Sequence, residues 1–210
     1  MIIAVDGPTA SGKGTIAKAL AAHYGLRHLD TGLLYRAVGR QVALNMGDPD
    51  DADDALAACA FADALLDDPQ LRDEGTGSLA SRVSVHATVR AALFDRQRSF
   101  AQQAGGAVLD GRDIGTVIAP DADVKLFITA SVAARAERRW HEMVGRLGAA
   151  LAPSLAAITV DLAERDARDA HRATAPLRAA DDAILIDTSA MDADEAIAAA
   201  IAIVEQKMSS

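Results

Sequence analysis

A glycine-rich stretch near the N-terminus has the residue types and the spacing of a phosphate-binding loop. It follows an apolar run at residues 2–5 and precedes a segment of helical apolar periodicity, so the expected order is strand, loop and helix. Small residues let backbone N–H groups turn toward an anion, and the N-terminus of the next helix adds unpaired donors. The stretch consists of Gly7, Pro8, Thr9, Ala10, Ser11, Gly12, Lys13, Gly14 and Thr15.

These residue types predict that the loop binds the phosphates of a nucleoside triphosphate. Lys13 would supply the mobile cation, and Thr15 is the candidate hydroxyl for magnesium. In the usual pattern a Ser or Thr follows the lysine directly, whereas Gly14 intervenes here. The alternative is a glycine-rich turn between a strand and a helix that binds no ligand.

A second charged loop follows a buried strand in the middle of the chain. Residues 106–110 are mostly apolar and end in an acid, and Arg112 and Asp113 come shortly afterwards. In open α/β sheets, ligands bind beyond the carboxyl ends of the strands, so this loop should share a cleft with the glycine-rich loop. One arginine and two carboxylates there suit phosphate and magnesium chemistry. The alternative is a turn in which Arg112 only pairs with Asp110 or Asp113.

Arginines also cluster on a helix predicted from Ser131 to about Leu147, although the formal net charge of the chain is −9. A mobile helical lid could bring such cations over a phosphoryl group during its transfer. Alternatively, they pair with Glu137 and Glu142 on a solvated face. The cluster contains Arg135, Arg138, Arg139 and Arg146.

Four charged residues share one edge of a long helix predicted to begin after Pro153. Asp161, Arg165 and Asp169 are four residues apart, and Arg172 follows three residues later. This edge is either a ladder of salt bridges within the helix or a surface that faces a substrate.

Two other predicted helices carry polar residues whose role is not decided by their spacing alone. Thr31 begins one of them and is a common N-cap residue, and Arg36 lies one turn further, where it could meet a substrate phosphate. A helix over about residues 88–103 carries Arg90, Arg96 and Arg98, which by themselves indicate only a solvated face.

The overall composition argues against several classes of protein. A net charge of −9 argues against a sequence-independent grip on nucleic acid, and an aromatic content of 3% is too low for a base-stacking surface. No apolar run approaches the roughly 20 residues of a membrane span, and the N-terminus lacks a signal-peptide pattern. Cys59 is the only cysteine, which excludes intrachain disulfides. We therefore expect a cytoplasmic protein without membrane or nucleic-acid partners. We also expect a monomer, although the composition does not bear on the oligomeric state.

The elements that must position these side chains alternate along the chain. Short strands are predicted at about residues 2–5, 26–29, 106–110, 124–128 and 183–187, with helices between and after them. This alternation predicts an α/β fold with a five-stranded parallel sheet flanked by helices. An Ala-rich helix is expected after Asp54 and up to about Leu66, and residues 67–77 are the best candidate for a mobile lobe.

Four motifs, in this order and spacing, resemble those of bacterial cytidylate kinases, a family of nucleoside monophosphate kinases. They are the loop at residues 7–15, Asp-Thr-Gly and Tyr-Arg at 30–36, Asp-Gly-Arg-Asp-x-Gly-Thr-Val at 110–117, and the charged segment at 164–172. Ser81 and Arg90 also match a Ser-x-Val and Val-Arg pair of the family. The resemblance covers nearly the whole chain and implies a three-layer α/β/α phosphate-loop fold with a lid and a monophosphate-binding lobe.

The resemblance also implies a reaction and a division of the chain. The reaction is transfer of the γ-phosphoryl group of ATP, with Mg²⁺, to CMP or dCMP, which gives the diphosphate and ADP. The single kinase domain at 1–210 would have its core at about 1–47, 88–130 and 153–210, its lobe at about 48–87 and its lid at about 131–152. The lobe is reduced, because residues 67–75 are few and lack the two β-runs that relatives often carry there.

The same resemblance implies roles for individual residues. Arg36, Arg112 and Arg172 would hold the monophosphate, Thr31, Arg90 and Asp113 the cytosine edge, and Ser81, Arg165 and Asp169 the ribose. The implied catalytic residues are Lys13, Arg112, Asp113, Arg135 and Arg139, and no general base is needed because an attacking phosphate is already anionic. The alternatives are a kinase of the same scaffold for UMP, AMP or a non-nucleotide acceptor, and a nucleotide-dependent switch.

Overall fold

The computed structural model describes residues 1–209, which form a five-stranded parallel sheet with helices on both faces. The strands lie in the order β2-β3-β1-β4-β5, so β1 is central and pairs with β3 and β4. The predicted α/β fold and the five parallel strands are confirmed. The strands are β1 (Ile2–Asp6), β2 (Arg27–Asp30), β3 (Ala107–Gly111), β4 (Val124–Thr129) and β5 (Ile184–Asp187).

Eight α-helices connect and flank these strands within the described part of the chain. None of them combines the length and the apolar composition that a bilayer span requires. The helices are α1 (Lys13–Tyr24), α2 (Thr31–Leu44), α3 (Ala52–Ala57), α4 (Glu74–Val83), α5 (Ala87–Ala101), α6 (Val132–Leu147), α7 (Leu155–His171) and α8 (Ala193–Met208).

Alternating side chains of the strands build cores on the two faces of the sheet. Ile3 and Val5 of β1 pack with residues of α1 and α8, whereas Ala4 lies in the opposite core with Leu109 and with Ala101 of α5. This three-layer arrangement brings the carboxyl ends of the strands to one edge. The loops that follow β1, β2 and β3 therefore converge there, as expected from the sequence.

The segment after α2 departs from the sequence-based expectation. The predicted Ala-rich helix up to about Leu66 is wrong: α3 ends at Ala57, and 3-10 turns follow at Ala58–Ala60 and Asp63–Asp67. Phe61 has an extended backbone (φ −61°, ψ 147°) and its side chain is buried in a core with α2 and α5. Burial of this large side chain outweighs the helix preference of the surrounding alanines.

Helix α4 begins in a part of the chain whose sequence shows no clear helical pattern. It contains Gly75 and Gly77, which weaken helix propensity, but it packs closely along α2. A Cβ atom on Gly39 of α2 would lie 2.8 Å from the Leu79 Cβ and 3.0 Å from the Ala80 backbone nitrogen. The two helices can thus lie this close only because Gly39 has no Cβ atom.

Gly39→Ala is expected to destabilise the fold by about 1–3 kcal/mol, because an added methyl group forces two packed helices apart. Urea denaturation measures the free energy of unfolding. Gly145→Ala is the matched control, since a Cβ on Gly145 of α6 would meet no heavy atom within 4 Å. The control should gain up to about 1 kcal/mol from helix propensity. Equal stability of Gly39→Ala and the parent would contradict this account of α2–α4 packing.

Candidate active site

A cavity of about 250 Å³ lies at the carboxyl edge of the sheet, beside the phosphate loop. Thr9, Ala10, Lys13 and Gly14 of the loop line one side of it. The remaining wall comes from the ends of β2 and β3, the segments that follow β3 and α7, and the helices α2, α4, α5, α6 and α7. All nine residues that the resemblance implies for the substrate line this one cavity: Thr31, Arg36, Ser81, Arg90, Arg112, Asp113, Arg165, Asp169 and Arg172.

Positive side chains outnumber carboxylates around this first cavity. The cations are Lys13, Arg36, Arg90, Arg112, Arg139, Arg165 and Arg172, and the carboxylates are Asp30, Asp110, Asp113 and Asp169. This excess occurs in a chain whose net charge is −9. An added anion stabilises a set of buried cations that outnumbers the carboxylates around it, so the cavity suits a phosphorylated ligand.

The backbone of the phosphate loop adopts conformations that its small residues permit. Gly12 precedes α1 with φ +90°, and Gly7 approaches the Ile128 carbonyl so closely that a Cβ would lie 2.1 Å from its oxygen. Lys13 begins α1 and faces the cavity. Burial lowers the pKa of its ammonium group, and nearby Arg112 acts in the same direction. A bound anion would offset both effects, because an opposite charge nearby favours the charged ammonium.

Arg112 bridges the phosphate loop and α7. Its Nε donates to Asp169 Oδ2 at 2.6 Å and its Nη2 donates to Thr9 Oγ1 at 2.5 Å. The alternative pairing with Asp110 or Asp113 is thus replaced by contacts with residues distant in the sequence. Burial alone would raise the pKa of Asp169, but Arg112 and Arg172 bring it below its usual value.

Sequence reasoning missed Asp6, which fixes the loop that carries Arg112. Its two carboxylate oxygens accept hydrogen bonds from the N–H groups of Ile114 and Gly115, each at 2.8 Å. Burial raises the pKa of Asp6 to about 7, against the effect of these two hydrogen bonds. An acid at the end of a buried strand, directly before the phosphate loop, was the available signal.

Arg90 is distinct from the other arginines of α5. It forms an ion pair with Asp113 in which both side chains are 6% exposed, and its guanidinium lies 5.6 Å from the Tyr35 ring centroid. Arg96, in contrast, pairs with Asp63 at the surface. The expectation of a solvated face therefore holds for Arg96 and not for Arg90.

Thr31, Arg36 and Ser81 reach the cavity from α2 and α4. The Thr31 hydroxyl donates to the Asp110 carbonyl at 2.8 Å, so its side chain links the start of α2 to β3. Arg36 Nη1 donates to the Leu71 carbonyl at 2.8 Å, and Ser81 Oγ accepts a bond of 3.0 Å from Arg168 of α7.

The charged edge of α7 combines both interpretations given above. Arg165 Nε lies 2.9 Å from Asp161 Oδ2, and Arg172 Nη1 lies 4.0 Å from Asp169 Oδ1, as in a ladder within the helix. Yet Arg165, Asp169 and Arg172 are buried and line the cavity. The edge therefore faces the cavity, and only Asp161 lies outside its lining.

The four arginines of α6 have different environments. Arg139 lines the first cavity and contacts Glu74 of α4 and Glu142. Arg135 donates to the Thr9 carbonyl at 3.1 Å and to Asp166 at 2.5 Å, so it ties α6 to the phosphate loop and α7.

The other two arginines of α6 bond to carbonyl groups. Arg138 donates to the carbonyls of Thr188 and Met191, and Arg146 donates to the Arg72 carbonyl at 3.1 Å. The alternative of surface pairing with Glu137 and Glu142 holds only for Arg139 with Glu142.

A second cavity, of about 340 Å³, lies on the other side of the phosphate loop. Its lining includes Ser11, Thr15, Arg138, Thr188 and Met191. Thr188 Oγ1 donates to the Ser11 carbonyl at 3.0 Å, which anchors the loop to the segment after β5. Residues of one phosphate loop thus line two cavities, which suits the binding of two ligands beside the loop.

The predicted magnesium contact at Thr15 lies in the second cavity. Within residues 1–209, no three His, Cys, Asp or Glu side chains form a metal-binding group. Asp30 and Asp110, which are register partners on β2 and β3, line the first cavity near Lys13. The His28 Nε2 atom lies 2.8 Å from Asp110 Oδ2. This donor set suits a magnesium ion held mainly by substrate phosphates and water, as is usual for Mg²⁺.

A parallel sheet whose first strand runs into a phosphate loop, with a cation-rich cavity beside it, defines the class of phosphate-loop nucleotide kinases. A crystal structure of an uncharacterized protein from Eubacterium ventriosum has the same fold, with a TM-score of 0.55 and 18% identity over 100% of this chain and 99% of that chain.

The cytidylate kinase family model matches residues 3–206. Cytidylate kinase of Xanthobacter autotrophicus is 56% identical over 207 residues, which cover 99% of this chain and 98% of the relative. The Rhodopseudomonas palustris enzyme of the same name is 54% identical over 206 residues, which cover 98% and 96%. The chain belongs to the cytidylate kinase family. The protein is therefore an enzyme, a nucleoside monophosphate kinase.

Proposed function

We propose that this enzyme transfers the γ-phosphoryl group of MgATP to CMP or dCMP, which yields CDP or dCDP and ADP. Besides membership of the family, one observation carries the proposal. Nine residues from α2, α4, α5, α7 and the segments after β3 and α7 line a single cation-rich cavity directly beside the phosphate loop. A chain of net charge −9 would not concentrate arginines there without an anionic ligand to offset their repulsion.

The donor nucleotide binds at the phosphate loop. Backbone N–H groups of the loop and Lys13 hold its β- and γ-phosphates, and the second cavity accepts its nucleoside. The protein contacts to a magnesium ion would be the Thr15 hydroxyl in the second cavity or the Asp30 and Asp110 carboxylates in the first, and the donor phosphates and water would supply the other ligands. When bound, the ion neutralises charge on the β- and γ-oxygens.

The acceptor binds in the first cavity. Its monophosphate is held by Arg36, Arg112 and Arg172, its cytosine edge is read by Thr31, Arg90 and Asp113, and its ribose contacts Ser81, Arg165 and Asp169. A buried ion pair such as Arg90–Asp113 offers one donor group and one acceptor group in fixed positions. Fixed polar groups of this kind discriminate strongly between bases that differ in hydrogen-bonding pattern.

Transfer requires positioning and charge neutralisation more than covalent catalysis. An oxygen of the acceptor monophosphate attacks the γ-phosphorus, and the bond to the β-phosphate oxygen breaks with its electron pair remaining on ADP. Lys13, Arg112 and Arg139 meet the charge that spreads over the transferred group. Asp113 acts through Arg90, and Arg135 holds the phosphate loop by its bond to the Thr9 carbonyl.

The division into core, reduced lobe and lid is part of the same proposal. Residues 48–87 would move over the acceptor, and residues 131–152 would close over the donor phosphates as a lid. The two segments contact each other through the ion pair of Arg139 of α6 with Glu74 of α4. The cytoplasmic location and the monomeric state stay predictions.

An acceptor panel with MgATP tests the function. ADP release, followed by a coupled assay, should be fastest with CMP or dCMP and slower with UMP and AMP. Fastest turnover with UMP or AMP would assign the enzyme to another acceptor. ADP release that is independent of any acceptor would favour a nucleotide-hydrolysing switch instead.

A further inference from the structure

One carboxylate lies among three arginines at the junction of the lobe, the lid and α7. Glu74, the first residue of α4, forms ion pairs with Arg139 of α6 and Arg165 of α7. Its Oε2 accepts from Arg139 Nε at 3.0 Å, and its Oε1 accepts from Arg165 Nη2. The two guanidiniums thus share a single negative charge that comes from a third helix.

Arg36 of α2 is the third arginine of the cluster. A Cβ atom on Gly77, almost one turn after Glu74, would lie 3.0 Å from Arg36 Nη2 and 3.1 Å from Arg165 Nη1. The absence of a side chain at Gly77 therefore lets these two guanidiniums approach each other. Burial lowers the pKa of Arg36, and the neighbouring charges of Arg139 and Arg165 act in the same direction.

Among the described residues, only one carboxylate lies inside this cluster. Three guanidiniums face Glu74, while the other nearby carboxylates lie at the edges: Asp161 on the outer side of Arg165 and Glu142 on the outer side of Arg139, both more exposed than the arginines they contact. Burial would raise the pKa of Glu74, yet Arg165, Arg139 and Arg36 bring it below its usual value. The carboxylate is therefore ionised and acts as the internal counter-ion of the cavity.

We propose that Glu74 is a positioning residue whose carboxylate is the counter-ion of these arginines in the free enzyme. Its carboxylate holds Arg139 and Arg165 at the cavity and yields them when a phosphorylated acceptor enters. The inference rests on the proposed function, since it assumes that these arginines receive substrate. Its consequence is competition: each binding event must displace an ion pair, so the affinity for the monophosphate is weaker than the arginines alone would give.

Glu74→Gln keeps the size of the side chain and removes its charge. Two opposite effects are expected in thermal unfolding: a lower midpoint without ligand, because the arginines repel one another, and a larger rise of the midpoint on adding CMP. Calorimetric titration should show CMP binding about threefold tighter or more, as expected when a competing state is removed. Cytidine keeps the ribose that is assigned to Arg165 but lacks the phosphate, so its affinity should gain less than that of CMP.

Glu142→Gln is the matched control, because it removes a carboxylate from the same Arg139 on its exposed side. It should leave CMP affinity at the parental value. If Glu74→Gln does not fold, Glu74→Asp, which withdraws the carboxylate by one methylene, should show an intermediate gain in affinity.

Several outcomes would overturn the proposal. CMP affinity that is unchanged in Glu74→Gln would make the ion pairs purely structural, and weaker binding would make Glu74 a support for the bound substrate. An equal gain in cytidine affinity would show that the effect does not concern the phosphate. Failure of the parent protein to bind CMP would instead reject the proposed function, so the two failures can be told apart.

Discussion

Lys13→Ala is expected to reduce turnover about 10²- to 10³-fold while leaving CMP affinity largely unchanged. Lys13 begins α1 at the phosphate loop, where the proposed mechanism places the donor phosphates. Loss of one preorganised cation removes stabilisation of charge that develops in the transition state. The acceptor, in contrast, is held mainly by arginines of other elements. Steady-state kinetics gives kcat, and calorimetry with CMP alone gives the affinity.

Lys18→Ala is the control for this experiment. Lys18 lies on the same helix with an exposed side chain, so its loss should change neither quantity. Unchanged turnover in Lys13→Ala would refute the assignment of the loop. Loss of CMP affinity in that variant, with donor binding intact, would mean that Lys13 serves the acceptor instead.

Arg90→Met is expected to reduce the preference for CMP over UMP by about 10- to 100-fold, the value of a lost hydrogen bond to a charged group. Cytosine offers an exocyclic amine and an unprotonated ring nitrogen, where uracil has a carbonyl and an N–H. The buried Arg90–Asp113 pair presents fixed complements to one of these patterns. The ratio of kcat/KM for the two acceptors measures the change, which should arise mainly from slower turnover of CMP.

Removal of Arg90 leaves Asp113 buried without its partner, which destabilises the protein by about 3–5 kcal/mol. The double variant Arg90→Met with Asp113→Asn should recover part of this stability without recovering selectivity. Arg96→Met, on the exposed side of the same helix, should alter neither. An intact preference for CMP in a folded Arg90→Met enzyme would show that the base is read elsewhere.

Most of the sheet could be predicted because every strand except β2 is a short, mainly apolar run next to a turn or loop signal. Ile3 and Val5 face one core and Ala4 the other, so both faces of β1 are buried and its sequence is continuously apolar. The first helix also ended where expected, at Gly25, whose φ of +64° suits a glycine. Local signals of this kind depend on a few neighbouring residues, and tertiary packing does not override them in the sheet.

The lobe was harder to predict because tertiary packing decides its structure. Phe61 leaves the Ala-rich segment to fill a core, and α4 forms despite Gly75 and Gly77 because Gly39 lets it lie close to α2. Neither effect has a counterpart in local periodicity. Propensity therefore gave one helix that is too long and missed another.

The candidate site shows the same limit. The spacing of the motifs indicated which residues carry charge at strand ends, but it could not pair Arg112 with Asp169, which lies 57 residues away. Glu74 was missed because a single acid at the start of a helix is usually explained as a favourable charge at its N-terminus. Arg90 was selected only through the family resemblance, since spacing alone suggested a solvated face.

A crystal structure of the enzyme with CMP would test the central claim, which is that arginines from separate elements hold the acceptor phosphate beside the phosphate loop. We predict the monophosphate within hydrogen-bonding distance of the guanidiniums of Arg36, Arg112 and Arg172, in the first cavity. A monophosphate bound elsewhere, or these guanidiniums directed into solvent with CMP present, would contradict the account.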